Sequence, residues 1–317
     1  MSNMLGHYGF PLSEAMVFGL SSSLSFAYLP FLKIGGLPLI AYRMPPKAII
    51  KGLQKPLGLK MRFETFRSPQ KGVARLNELL DEGKLVGLQT SVYWLPYFPD
   101  DLRFHFNAHN LLTFGRDGDN YLISDPVVET VVSCPAIDLQ KARFAKGVLA
   151  PKGLIYYPSE LPDAAALAPK WRSIIQGAIR KTVRIMLHTP LPIVGVRGIH
   201  RLANAVRRLS TQDEHHARLF IGHIVRMQEE IGTGGAGFRF IYAAFLQEAA
   251  ELSGIPALGK LSADLLDIGD AWREFALVGA RMVRGREPLA PQRLAEMLDQ
   301  LAVREQAFFR RLKLAIA

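Results

Sequence analysis

Cysteine is almost absent from this chain: among 317 residues the only thiol is Cys134. A disulfide framework and a four-cysteine zinc site are both excluded, and a lone thiol fits a reducing, cytoplasmic setting. Long membrane-type runs are also lacking. Residues 15–32 carry no charge, a length near the lower limit for crossing a bilayer. The run is interrupted by Ser21, Ser22, Ser23, Ser25 and Pro30, and Lys33 follows at once. It therefore reads as buried core, with no membrane span. The first residues, Met1-Ser-Asn-Met-Leu-Gly-His7, contain no basic stretch and do not read as a secretory signal. Acidic residues are missing from one long segment. Residues 164–212 hold nine basic side chains and no Asp or Glu, within a chain of net charge +11. Such a field attracts acidic partners. It is not interleaved with aromatics and matches no reading motif, so nucleic acid is an unlikely partner.

What is present is ample apolar material. With 49% hydrophobic and 21% charged residues, the chain is not disordered and supports one large domain or two of ordinary size. Its composition changes near residue 160. Before that point Gly and Pro punctuate short apolar runs. Ser13 precedes a helical run as an N-cap. The apolar spacing of Val73, Leu76, Leu79 and Leu80 predicts a helix ending at Gly83. Residues 85–92, 104–114, 121–124 and 153–157 read as strands. The first half is thus α+β with a largely antiparallel sheet. Residues 158–169 read as a linker. Beyond it, 3.6-residue periodicity predicts helices over 171–187, 194–209, 213–231, 238–252, 263–284 and 291–314, an all-α unit. The expected domains are 1–158 and 165–317.

Several motifs lack their context. Gly232-Thr-Gly-Gly-Ala-Gly237 matches the dinucleotide-binding glycine pattern, but a helix precedes it where that motif needs a strand. The glycines read as a joint between helices, with anion binding at the following helix N-terminus as the second reading. His215, His216 and His223 share a helix without the i, i+4 spacing of a helical zinc site, so no metal is expected. Cys134 lies in an apolar stretch with no basic neighbour and reads as a packed thiol.

One hairpin can carry chemistry. The segment from His105 through His109 to Gly115 leads into Arg116-Asp-Gly-Asp119, then Tyr121-Leu-Ile-Ser-Asp125-Pro126. It sets a His on one strand and an Asp at the end of the next. A His held by a carboxylate is the base of a nucleophilic triad. Register decides whether they meet. A two- or four-residue loop centred on Asp117-Gly118 pairs His109 with Pro126 and turns Asp125 to the other face. A three-residue loop pairs His109 with Val127 and brings Asp125 diagonally beside it. His105, four residues earlier, is either a second polar group in a cleft or a solvent-facing side chain. Gln89 and Tyr93 sit on and just after the neighbouring strand. Gln89 is either an oxyanion donor or a satisfied strand amide.

Together these residues resemble a known family. Asn3-Met-Leu-Gly-His-Tyr-Gly9, Leu12-Ser-Glu-Ala-Met-Val-Phe-Gly-Leu20, Phe26-Ala-Tyr28, Tyr93-Trp-Leu-Pro-Tyr97, the His109 strand and Ser124-Asp-Pro126 resemble the butirosin biosynthesis protein H N-terminal domain. Gly232-Thr-Gly-Gly235, Phe238-Arg239, Tyr242 and Phe245-Leu-Gln-Glu-Ala249 resemble the helical domain of unknown function that often follows it. The resemblance implies a papain-like fold. It also implies transfer of an aminoacyl group from the phosphopantetheine thioester of an acyl carrier protein to a small amine acceptor, with no resident cofactor. Cys, His and Asp do this chemistry in the family, and His109 and Asp125 match the last two roles. The family's Cys falls upstream of the stretch matching Asn3, ahead of this chain's first residue. The start inside a helix points to a true start further upstream; a catalytically dead relative is the other reading. A cysteine peptidase or amidase on the same scaffold, and a non-catalytic binding protein, also stay open. The helical domain would then act as lid and carrier-docking surface. Carrier proteins are acidic, so Arg180, Lys181, Arg184, Arg197 and Arg201 are the expected docking residues.

Overall fold

The computed structural model describes residues 1–231 and 235–317. In chain order the elements are α1 (Ser2–His7), α2 (Glu14–Leu20), β1 (Leu24–Ile34), β2 (Leu37–Arg43), α3 (Pro46–Leu57), β3 (Lys60–Glu64), α4 (Pro69–Asp81), β4 (Val86–Thr90), β5 (His109–Asp117), β6 (Asn120–Ser124), β7 (Val132–Pro135), α5 (Ala136–Arg143) and β8 (Ile155–Glu160). Then come α6 (Ala164–Leu167), α7 (Trp171–His188), α8 (Gly195–Arg207), α9 (Glu214–Glu229), α10 (Arg239–Ser253), α11 (Ala257–Val283) and α12 (Pro291–Ala315). The protein is α+β, with antiparallel strands in its N-terminal half and a helical C-terminal region. No described helix is long and apolar enough to cross a membrane.

The chain divides into two compact units, both built from discontinuous sequence. The first holds Met1–Leu12 and Pro45–Asp163; the second holds Ser13–Met44 and Ala164–Ala317. The break after Asp163 falls inside the expected linker, although that segment contains the end of β8 and the short α6. Residues 13–44 belong with the helices, an arrangement that composition along the chain does not announce.

The first unit is organised on a six-stranded antiparallel sheet of order β3-β8-β4-β5-β6-β7. Alternation along β4 and β5 sends Val86, Leu88, Leu111 and Thr113 to one face, all fully or nearly fully buried. α4 covers part of this core. Ser68 caps it by accepting from the Lys71 N–H, Pro69 occupies its first turn, and Leu76, Leu79 and Leu80 fill its buried side. Each such side chain contributes about 1.5–3 kcal/mol by leaving water. β4 passes so close to β8 that a Cβ on Gly87 would sit 2.0 Å from the Tyr156 ring, so only glycine fits there.

In the second unit Ser13 caps α2 through the Met16 N–H, as the sequence predicts. The β1–β2 hairpin is embedded among helices. Ala27 bridges to Val194, and the His223 ring bonds the Pro38 carbonyl at 2.8 Å. Phe26, Tyr42 and Trp272 form a ring cluster with centroids 5.2–6.1 Å apart. Above the Trp272 ring lies the Arg239 guanidinium, which meets both oxygens of Glu305 at 2.7 and 3.0 Å. The Trp272 indole N–H donates to Glu305 at 2.7 Å. Arg239, Glu305 and Trp272 are all fully buried. Removing one partner strands a buried charge. Glu305→Ala should therefore lower unfolding stability by about 3–5 kcal/mol in urea titration; a loss under ~1 kcal/mol would show that the pair is not holding α10 to α12.

Candidate active site

The strand carrying His109 is shorter at its start than the sequence predicts. β5 begins at His109 itself, and residues 104–108 precede it outside any strand. They are held locally: the Phe106 N–H bonds the Phe104 carbonyl, and the Asn107 amide donates to the carbonyls of Lys146 and Val148. His105 therefore does not share a strand face with His109. It is exposed and stacks on Tyr93, with ring centroids 4.1 Å apart.

The hairpin reaches the productive register by a route different from the three-residue loop. Asp117 pairs with Asn120, leaving a tight two-residue turn in which Gly118 adopts a left-handed φ of 55°. Gly115 pairs with Leu122, but Thr113 pairs with Ile123. Phe114 is thus an extra residue, a bulge that shifts the register by one. Continued past Leu112 and Ser124, this register sets His109 opposite Val127 and Asp125 diagonal to it. Their side chains meet: His109 Nε2 lies 2.6 Å from Asp125 Oδ2.

Asp125 is a collecting point for donors. The Tyr97 hydroxyl donates to the same Oδ2 at 2.7 Å, and the Val127 N–H donates to Oδ1 at 3.0 Å, closing an Asx turn. The carboxylate is fully buried, while the His109 side chain keeps 13% of its surface exposed. Phe98 meets the His109 ring edge to face at 5.4 Å. In the neutral ring, a carboxylate accepting at Nε2 puts the hydrogen on that nitrogen and leaves the lone pair on Nδ1. Among the described residues nothing bonds Nδ1. α1 starts nearby: the Asn3 amide donates to the hydroxyl of Ser124, the residue before Asp125, at 3.2 Å.

Gln89 is placed where it cannot serve an oxyanion. Both hydrogens of its amide are spent on backbone carbonyls, Asn107 at 2.8 Å and Leu149 at 2.9 Å. Its role is to hold the 146–149 segment against the sheet. Tyr93 does line a cleft. With Trp94, Pro96, Asp100, Arg103 and Asp138 it walls a pocket of about 330 Å³. Tyr97, the third partner of Asp125, falls in the Tyr93–Tyr97 stretch that carries the family resemblance, but nothing in the sequence pairs it with Asp125.

Cys134 is fully buried on β7. Burial first, and then the nearby Asp138 charge, push its thiol up to about 12. It is not a nucleophile for His109. In the second unit Arg180, Lys181 and Arg184 are exposed on α7, and Arg197 and Arg201 are exposed on α8. Among the described residues Arg180 and Arg197 bond backbone carbonyls, of Ile316 and Pro190. His215 and His216 are exposed on α9. Gly232, Thr233 and Gly234 of the glycine motif lie outside the described residues; Gly235 and Gly237 adopt left-handed φ values after α9, a helix and not a strand.

Residues 1–126 match the family described as butirosin biosynthesis protein H, N-terminal. Residues 137–312 match a domain of unknown function, DUF4872. No curated protein matches the chain.

The buried thiol gives a direct check on this geometry. Cys134 should resist a soluble disulfide reagent at pH 8 in the folded protein and react at once in denaturant. Labelling of the native protein at the rate of a free thiol would place Cys134 at the surface and reopen it as a nucleophile.

Proposed function

The chain belongs to the family that joins a butirosin biosynthesis protein H N-terminal domain to DUF4872, and from that premise we propose that it moves an acyl group from a thioester to an amine in specialised-metabolite biosynthesis. The observation that carries this reading is the His109–Asp125 pair with a free Nδ1. A buried carboxylate fixes the ring and its tautomer, which leaves one nitrogen to exchange protons with a nucleophile.

The chemistry is that of a papain-like site. A cysteine thiol presented to His109 Nδ1 would give up its proton there and attack the thioester carbonyl. The carbon–sulfur bond to the phosphopantetheine thiol breaks, and that thiol leaves with the proton from His109. The acceptor amine then attacks the acyl-enzyme, loses a proton to His109 and forms the amide, while the thiol is regenerated. Asp125 balances the imidazolium in both halves without itself taking the proton. The Asn3–Ser124 contact supports this reading, because it sets the start of α1 beside the residue preceding Asp125.

The exposed cations of α7 and α8 supply the partner surface in this reading. An acidic acyl carrier protein would be steered to Arg180, Lys181, Arg184, Arg197 and Arg201 by charge. Charge reversal at Arg180 and Arg184 together (R180E/R184E) should weaken carrier binding by about tenfold, ~1.4 kcal/mol, at low salt and less at high salt. Equal affinity of variant and parent at low salt removes the docking surface.

The reaction itself is tested by mass. The protein, incubated with an aminoacyl pantetheine thioester, should gain the acyl mass on a side chain other than Cys134. His109→Ala should slow that step by about 10²–10⁴-fold, and Cys134→Ala should leave it unchanged. An adduct discharged to water but never to an amine would favour the peptidase reading. No adduct from the natural protein would leave a non-catalytic binding protein.

A further inference from the structure

Asp125 Oδ2 accepts from two side chains, and only one of them belongs to the pair that moves protons. The second is Tyr97, whose hydroxyl lies 2.7 Å from the oxygen that His109 Nε2 approaches at 2.6 Å. No Lys or Arg pairs with this carboxylate among the described residues. Its orientation therefore depends on neutral donors.

The turn that carries Tyr97 is built to hold it still. Val92, Leu95 and Phe98 anchor residues 92–98 in the core of the sheet. The Trp94 and Leu95 N–H groups bond back to Ser91 and Val92, and the Phe98 N–H bonds the Leu95 carbonyl. Phe98, the next residue, closes on the edge of the His109 ring. One short turn thus touches both members of the pair. Burial, followed by the adjacent Asp125 charge, raises the Tyr97 phenol well above its ordinary range. The hydroxyl remains protonated and always has its hydrogen to donate.

We infer that Tyr97 is a positioning residue, which acts through Asp125 to fix the plane and tautomer of the His109 imidazole and so the direction of its free Nδ1; this rests on the proton-transfer role proposed for His109. The Val127 N–H pins Oδ1 alone and leaves the carboxylate free to tilt about that contact. The Tyr97 hydroxyl removes that freedom at Oδ2. A bare oxygen there would hold Nε2–H through a single unsupported bond.

The readout is the imidazole itself, observed by nitrogen-15 NMR on the full chain labelled at histidine, with His109→Gln assigning the signal. The wild-type protein should show His109 as the Nε2–H tautomer with a slowly exchanging ring proton. Tyr97→Phe keeps the ring and removes the hydroxyl. It should speed exchange of that proton by about tenfold, the factor that loss of one ordinary hydrogen bond gives, and admit the Nδ1–H tautomer. The other histidines and the melting temperature should change little. 3-Fluorotyrosine at position 97 keeps the hydroxyl and makes it a stronger donor, so exchange should be slower than in wild type. His109 exchange and tautomer unchanged in Tyr97→Phe would overturn the inference. Should that variant not fold, exchange in the fluorotyrosine protein no slower than wild type would overturn it equally. A wild-type His109 without the Nε2–H tautomer would instead overturn the proton-transfer reading on which the inference rests.

Discussion

A carboxylate taken out of water must find its donors inside the protein, because an unpartnered buried charge costs several kcal/mol. Asp125 is such a group, and the first unit is arranged around satisfying it. Its three donors come from separate places: His109 at the start of β5, Tyr97 on the turn after β4, and the Val127 backbone just past β6. Each needs a structural condition. His109 requires the register shift supplied by the Phe114 bulge, since a one-residue slip turns a side chain to the opposite face. Tyr97 requires the packed 92–98 turn, which Leu95 and Phe98 anchor. Val127 requires the chain to reverse at Asp125-Pro126, where proline's fixed φ favours a turn. The result is an imidazole with one nitrogen committed and the other open.

The second unit solves the same problem by different means. Glu305 is buried as deeply as Asp125, but its partner is a cation: Arg239 binds both oxygens and Trp272 adds a third donor. Such a pair joins helices and leaves no group free, so its role is structural. The unit's free charge lies elsewhere. α8 buries Val196, Ile199, Leu202, Ala203 and Val206 while exposing Arg197 and Arg201. Within the acid-poor segment α8 is therefore an ordinary amphipathic helix whose polar face carries one sign of charge. That face, with Arg180, Lys181 and Arg184 on α7, is the feature that most sets the unit apart from a plain helical support.

Much of this was legible in the sequence, and the gaps have identifiable causes. The helices from α7 to α12 follow the 3.6-residue apolar period, and Ser13 caps α2 as its position implies. The His109–Asp125 contact was legible as one of two registers. The device that selects it was not, because a bulge at Phe114 leaves no mark in a pattern of alternating side chains. His105 and Gln89 show the limit of strand reasoning. One lies before the strand begins, and the other gives its amide to the carbonyls of Asn107, ahead of β5, and of Leu149, 60 residues away in sequence. Tyr97 and the allotment of residues 13–44 to the helical unit depend on contacts between distant parts of the chain. Local periodicity carries no information on those.

The proposed reaction requires His109 and Asp125 to work as one unit in proton transfer. The most direct test is a double-mutant cycle on acyl-enzyme formation by the natural protein, with His109→Ala, Asp125→Ala and the two combined. The combined variant should be no slower than His109→Ala alone, since an aspartate that acts only through the imidazole has nothing left to orient. Losses that multiply would contradict it, and would mean that Asp125 serves the fold or the substrate independently of His109.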